Sequence, residues 1–165
     1  MPSHSAFATP RAIALKEARD HFERVKLQED VIAIVRASAR AALGADGVTF
    51  VLREGELCHY VEEDGIGPLW KGRKFPMESC ISGWVMLNNQ TAAIPDIFAD
   101  PRVPHDAYRP TFVKSLMMTP VRAGSIVAAL GAYWKEQRAF TPDDIQAIEM
   151  MADFAGKALR QVKPI

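Results

Sequence analysis

Between Pro95 and Lys114 the chain carries Asp96, Asp100, His105 and Tyr108, among the groups there able to hold or move a proton. They sit among four prolines (Pro95, Pro101, Pro104, Pro110) and the aromatics Phe98 and Phe112, with no regular period. A long irregular connection of this kind is usually functional or mobile rather than a mere link. Its chemistry as an acid/base centre is poor. Asp96 and Asp100 are four residues apart, but nothing nearby completes a paired-carboxylate site. Asp100-Pro101-Arg102 reads better as a capped turn with a paired surface charge. His4, His21, His59 and His105 lack metal-ligand spacing, and Gly65-x-Gly67 followed by Pro68 is a turn rather than a phosphate loop. Thiol chemistry has two candidates, Cys58 and Cys80. Cys80 precedes a short helical segment around Trp84, where a helix end lowers a thiol pKa; its other reading is a small, partly buried apolar residue. Cys58-His59 is not a dyad, because neighbouring side chains in a strand point to opposite faces.

The elements that position these groups follow from periodicity. Thr9-Pro10 is a helix start, with Thr as N-cap and Pro at the first helical position. No Pro or Gly interrupts the chain until Gly44, so one helix on the order of 50 Å long is expected over residues 10–43. It shows two apolar faces, Leu27, Val31, Ile34, Ser38 and Ala41 on one, and Phe22, Val25, Ile32, Ala39 and Leu43 on the other. Thr141-Pro142-Asp143-Asp144 starts a second helix. In it Ile145, Ile148, Ala152, Ala155, Leu159 and Val162 keep a three-four spacing, which predicts a coiled-coil-like seam between two copies of the chain. The open alternative is a helix that covers only its own sheet. Between the helices the period falls to two: residues 48–52 and 57–61 form a hairpin, with further strands ending at Phe75, over 91–94, over 116–121 and over 126–134. The fold class expected is α+β, a central antiparallel sheet of about six strands with N- and C-terminal helices on one face and a helix/loop crossover on the other. Residues 1–8 are expected to be a disordered lead-in and 9–165 one domain.

Ser82-Gly83-Trp84-Val85, then Ile94-Pro95-Asp96-Ile97, then Ala99-Asp100-Pro101-Arg102 resemble, in order and spacing, the centre of GAF domains, small sensory modules with a sheet-backed pocket. The resemblance runs from about Leu27 to Gln161. It implies that the 95–114 connection is one pocket wall, the 116–121 strand the floor and the Trp84 helix the side. The ligand-binding groups it implies are Trp84, Asp96, Phe98, His105, Tyr108, Phe112, Ser115, Met117 and Tyr133. Such a mostly apolar cavity with a few polar groups suits a small organic molecule.

Within the loop, Asp96-Ile97 and His105-Asp106-Ala107-Tyr108 resemble elements of phytochrome-type GAF domains, which hold a linear tetrapyrrole. The position of the attachment cysteine is Pro104, and no Cys precedes Cys58, so no covalent tetrapyrrole is expected and the cofactor is left unknown. GAF proteins that reduce free methionine sulfoxide need an attacking thiolate and a resolving thiol on the facing loop. That loop has no cysteine and Cys58 is assigned to a different strand, so no enzyme activity is expected. The lacking asparagine-lysine-phenylalanine-aspartate signature removes the cyclic-nucleotide branch.

Twenty basic and twenty acidic residues cancel across 165 residues, which leaves no net field for nucleic acid or anionic lipid. No signal peptide and no apolar run of about 20 residues is visible, and two cysteines are too few for a disulfide framework, so a cytoplasmic setting is expected. The resemblance is greatest to modules that precede bacterial histidine kinases. Neither a phospho-acceptor histidine segment nor nucleotide-binding glycines follow before Pro164-Ile165, and the expectation is a stand-alone partner-dependent protein or a piece of a longer sensor. Three readings result: a non-catalytic ligand-binding sensor signalling through a helical homodimer, a ligand-free dimerisation module, and a redox sensor or sulfoxide reductase using Cys80.

Overall fold

Thr9 opens the first helix as expected, its hydroxyl accepting the Ala12 N–H at 3.1 Å. A computed structural model describes residues 9–162; the lead-in expected over 1–8 lies outside the described residues. Helix α1 (Pro10–Phe22) ends where a longer helix was expected to continue, and α2 (Gln28–Leu43) begins after a short turn. The single helix over 10–43 is therefore two. Local hydrogen bonding marks the restart: the Asp30 carboxylate accepts the Leu27 N–H at 3.2 Å, capping α2 from within its first turn. Arg11, at the start of α1, donates to the carbonyls of Ala42 and Leu43 at the far end of α2, each at 3.1 Å. The two helices thus form an antiparallel αα-hairpin. A straight helix would hold Leu15, Ala18 and Phe22 away from the domain. The hairpin buries them against α2 and α5, and that apolar burial is what a sequence without Pro or Gly does not reveal.

The sheet has six strands in the order β3-β2-β1-β6-β5-β4, with neighbours antiparallel. These are β1 (Gly47–Glu54), β2 (Leu57–Gly65), β3 (Lys74–Pro76), β4 (Ala92–Ile94), β5 (Ser115–Ala123) and β6 (Ser125–Trp134). The crossover from β3 to β4 carries α3 (Ile81–Asn88), and that from β4 to β5 carries α4 (His105–Tyr108). The chain closes with α5 (Pro142–Gln161). Its capping box is complete: Thr141 Oγ1 accepts the Asp144 N–H at 3.1 Å and Asp144 Oδ2 accepts the Thr141 N–H at 2.9 Å.

Each strand divides its side chains between two cores. On one face Phe50, Met117, Leu130 and Trp134 meet α2 and α5. On the other Tyr60, Leu116, Met118 and Tyr133 meet α3 and α4. This arrangement corrects the expected dimer seam. Ile148, Ala152 and Ala155 are 0%, 3% and 0% exposed within the chain's own core, and Ile145, Leu159 and Val162 pack against that core. A stripe that covers a sheet and a stripe that seals a coiled coil have nearly the same spacing, so spacing alone did not say which partner it faces. Among the described residues no helix is long and apolar enough to cross a membrane.

Candidate functional site

Five aromatic rings fill the space between the sheet and the α3/α4 crossovers. Trp70 is at their centre, with ring centroids 5.6 Å from Tyr60, 4.6 Å from Tyr108 and 5.5 Å from Tyr133, while Phe75 stands edge-on to Tyr60 at 5.5 Å. Such tilted and edge contacts suit the quadrupoles of the rings. Trp70 is fixed by two devices. The Glu63 carboxylate accepts three backbone N–H groups, from Leu69, Trp70 and Lys71, at 2.8–2.9 Å, which ties the loop after β2 to the end of that strand. The indole Nε1 then donates to the Ala107 carbonyl in α4 at 3.1 Å.

The phenols differ in their partners. Tyr133 shares a 2.8 Å hydrogen bond with Thr49 Oγ1, and Tyr60 one of 2.9 Å with Ser82 Oγ. The Tyr108 hydroxyl is buried; the Tyr133 phenol is its polar neighbour, but among the described residues no group lies within hydrogen-bond geometry of it. Burial pushes all three phenols up, so they stay neutral. What remains open is a cavity of about 10 Å³ bounded by Tyr60, Trp70, Phe75, Cys80, Pro104, Ala107 and Tyr108. That is room for one water molecule at most.

The residues expected to line a pocket are divided among three places. Tyr108, Tyr133, Phe112 and Trp84 belong to this core. Asp96, Phe98 and His105 lie on its outer rim. The Asp96 carboxylate caps a turn by accepting the Phe98 N–H at 3.1 Å, His105 Nε2 is 3.0 Å from the Asp100 carbonyl, and the Phe98 ring, 38% exposed, stands edge-on to His105. Ser115 and Met117 are corrected outright. Met117 packs in the opposite core against the helices, and Ser115, on the same side of β5 by parity, donates its hydroxyl to the Glu136 carbonyl at 2.7 Å. A one-residue difference in strand phase moved both to the far face. Asp100 and Arg102 pair as expected, at 2.7 Å, and the guanidinium also lies 4.4 Å over the Trp84 ring. This holds Asp100 below the usual carboxylate range.

Trp70, Tyr60, Phe75 and the thiol pair were not foreseen. Period two in β2 places Cys58 and Tyr60 on one face, which was a usable signal; nothing local marks Trp70. The Sγ atoms of Cys58 and Cys80 are 3.3 Å apart, which corrects the expectation that a place in a different strand keeps Cys58 away from Cys80. Cys80 is the N-cap of α3, and Ser82 Oγ donates to its sulfur at 3.2 Å. Gly83 allows this: a Cβ there would lie 1.7 Å from the Met77 carbonyl oxygen, so only glycine lets the first turn of α3 sit against the preceding backbone.

No curated protein matched the sequence. Solved structures share the fold at low identity. The GAF domain of an Acinetobacter phosphoenolpyruvate-protein phosphotransferase superposes with a TM-score of 0.78 at 12% identity, over 92% of this chain and 94% of that one. The phycoerythrobilin-bound GAF domain of a cyanobacterial phytochrome gives 0.76 at 17%, over 93% and 96%. Free methionine-R-sulfoxide reductase from Neisseria meningitidis, in complex with its substrate, gives 0.78 at 16%, over 93% and 92%. The sequence model of the GAF domain matches residues 28–159, from the first residue of α2 almost to the end of α5. With its six-stranded sheet, its helix layer and the crossover core on the far side, the chain belongs to the GAF domain family, a family of small-molecule-binding signalling domains.

Proposed function

We propose that this chain is a non-catalytic sensory module. Its ligand is a small, largely apolar molecule with one hydrogen-bonding group, taken into the aromatic core when the α4 segment lifts. The observation that carries this reading is the Tyr108 hydroxyl, buried without a hydrogen-bond partner among the described residues, on a four-residue helix inside a long irregular connection. An unsatisfied buried group of this kind costs about 1–3 kcal/mol, and a ligand atom that meets it recovers that cost. Closed, the core is far smaller than the roughly 300–1,000 Å³ of ordinary ligand sites, so binding requires α4 and the Trp70 loop to part.

Thermal-shift screening of a metabolite library with the wild type and Tyr108→Phe tests this. Compounds that raise the melting temperature of the wild type but not of the variant support the reading; equal stabilisation of both removes the hydroxyl from the site.

Occupancy is relayed, in this proposal, through the helix layer to a second copy of the chain and to a signalling output such as a histidine kinase. The dimer contact cannot use the inward-facing α5 stripe. It falls to the outer surface of that layer, where Ile13 on α1 is 47% and Met150 on α5 is 38% exposed. Sedimentation of the wild type as a dimer, and of Met150→Glu as a folded monomer, is the expected result; a monomeric wild type at micromolar concentration ends this part of the proposal.

The filled core favours a second reading, a ligand-free dimerisation module. Native mass spectrometry of freshly purified protein separates the two, a bound small mass supporting the sensor and a bare dimer the structural module.

A further inference from the structure

Two thiols, one hydroxyl and one phenol form a continuous buried chain beside the aromatic core. Tyr60 Oη is 2.9 Å from Ser82 Oγ, Ser82 Oγ is 3.2 Å from Cys80 Sγ, and Cys80 Sγ is 3.3 Å from Cys58 Sγ. Both cysteines are free and buried, Cys58 in β2 and Cys80 at the N-terminal end of α3. Cys80 borders the small residual cavity, and the exposed Ser79 precedes it in the chain. We propose that Cys58 and Cys80 form an oxidisable dithiol site, which a small hydroperoxide converts to an intramolecular disulfide. This goes beyond the ligand reading and does not depend on it.

The roles of the two sulfurs differ. The Cys58 thiol beside it is the largest factor that favours a thiolate at Cys80, against the opposing effect of burial, and Ser82 and the N–H groups of the first helical turn add to it, so the Cys80 thiol is held below its usual range. The same pairing, with burial, pushes the Cys58 thiol up. Cys80, which caps α3, accepts from Ser82 Oγ and borders the cavity, is the attacking sulfur, and the fully buried Cys58 is the resolving one.

In the first step the Cys80 thiolate attacks one oxygen of the peroxide. An S–O bond forms, the O–O bond breaks, and the departing alkoxide or hydroxide takes up a proton and leaves as alcohol or water. Cys80 is then a sulfenic acid. In the second step the Cys58 sulfur attacks the Cys80 sulfur, its own proton and the sulfenic OH leave together as water, and the S–S bond forms. The two thiols lose two electrons and the peroxide gains them. Closing from 3.3 Å to a bond of about 2.05 Å asks for a shift of little more than an ångström between β2 and the start of α3. The cavity beside Cys80, about 10 Å³, holds one water at most, so entry of the oxidant needs a local opening and favours hydrogen peroxide, the smallest hydroperoxide.

The experiment uses the full chain, reduced and freed of reductant. It is exposed to stoichiometric hydrogen peroxide, denatured in N-ethylmaleimide and weighed by intact mass spectrometry. The expected product is a monomer lighter by two hydrogens that takes up no maleimide, formed faster as the pH rises, as an attacking thiolate requires. Cys58→Ser is expected to stop at a sulfenic acid on Cys80 that dimedone traps. Cys80→Ser is expected to react at least about tenfold more slowly, because the remaining thiol is fully buried in β2 and lacks the N–H groups of the α3 terminus. Circular dichroism of both serine variants shows that they are folded. Two maleimides on peroxide-treated wild type, an intermolecular disulfide only, or an unchanged rate in folded Cys80→Ser each overturn the proposal.

Discussion

The indole of Trp70 lies against the Tyr108 ring at 4.6 Å between centroids and donates its N–H to the carbonyl of the preceding residue, Ala107. One side chain from the loop after β2 therefore latches α4, which belongs to a crossover far along the chain. The latch has two separable parts, ring contact and hydrogen bond, and Glu63 supports both by holding the Trp70 backbone.

Trp70→Phe keeps an aromatic ring but loses the hydrogen bond and part of the packing. The expected loss of stability is about 1–3 kcal/mol, with the backbone N–H of Arg109, bonded to the His105 carbonyl at 2.9 Å, exchanging with solvent faster than before. Chemical denaturation and hydrogen exchange measure these separately. Unchanged protection across residues 105–109 would show that Trp70 is not what holds α4 down.

Two tyrosines that face the same core should respond in opposite ways to loss of the hydroxyl. Tyr133→Phe strands Thr49 Oγ1 in a buried place and should cost about 1–2 kcal/mol. Tyr108→Phe removes a group that has no partner among the described residues, so the ligand-free variant should be as stable as the wild type or more so, by up to about 1 kcal/mol. Melting both variants beside the wild type decides it, and a Tyr108→Phe loss as large as that of Tyr133→Phe contradicts the argument.

Gly83→Ala should be among the most damaging single changes in the chain. The added methyl would lie 1.7 Å from the Met77 carbonyl oxygen and within 3 Å of two more backbone atoms of that residue, so the backbone itself must move. A loss of about 3 kcal/mol or more is expected, in the range of overpacked cores. Urea denaturation measures it, and a change under about 1 kcal/mol would mean that α3 can slide without resistance.

Acid sensitivity should come in part from Asp144, 5% exposed at the start of α5. Against the opposing effect of burial, the Thr141 N–H, the Arg11 side chain at 2.9 Å and the Arg138 charge hold its carboxyl below the usual range. A carboxyl with a depressed folded pKa stabilises the protein above its unfolded pKa of about 4, and that stability is lost as pH falls through the lower folded value. Asp144→Asn should therefore be less stable than wild type near neutral pH, by about 1 kcal/mol or more, with the gap narrowing below about pH 4. Denaturation curves at pH 7 and pH 3 test this; a gap independent of pH would assign the whole effect to the cap.

Local rules placed most of the frame. The Thr9 and Thr141 caps, the β1–β2 hairpin, the short strands ending at Phe75 and near Ile94, and the Asp100–Arg102 turn each depend on residues close together in the chain, so their determinants are all present in a short stretch of sequence. The ordered motifs from Ser82 to Arg102 added the family, and with it the face on which a site should lie.

Tertiary structure decided the rest, for one physical reason: burial depends on what covers a surface, and a periodic stripe does not name its cover. The stripe Ile148, Ala152, Ala155 was legible as apolar but not as a cover for the chain's own sheet. The break between α1 and α2 came from the gain in burying Leu15, Ala18 and Phe22. Met117 went to the helix side because pairing with β6 at Ala132 set the phase of β5. Trp70 closing the core over Tyr108, and Cys58 meeting Cys80 from a strand and a helix 22 residues apart, are contacts between distant parts of the chain. The sequence determined which residues could take part; only the folded sheet, by bringing its two faces and their crossovers together, determined which of them meet.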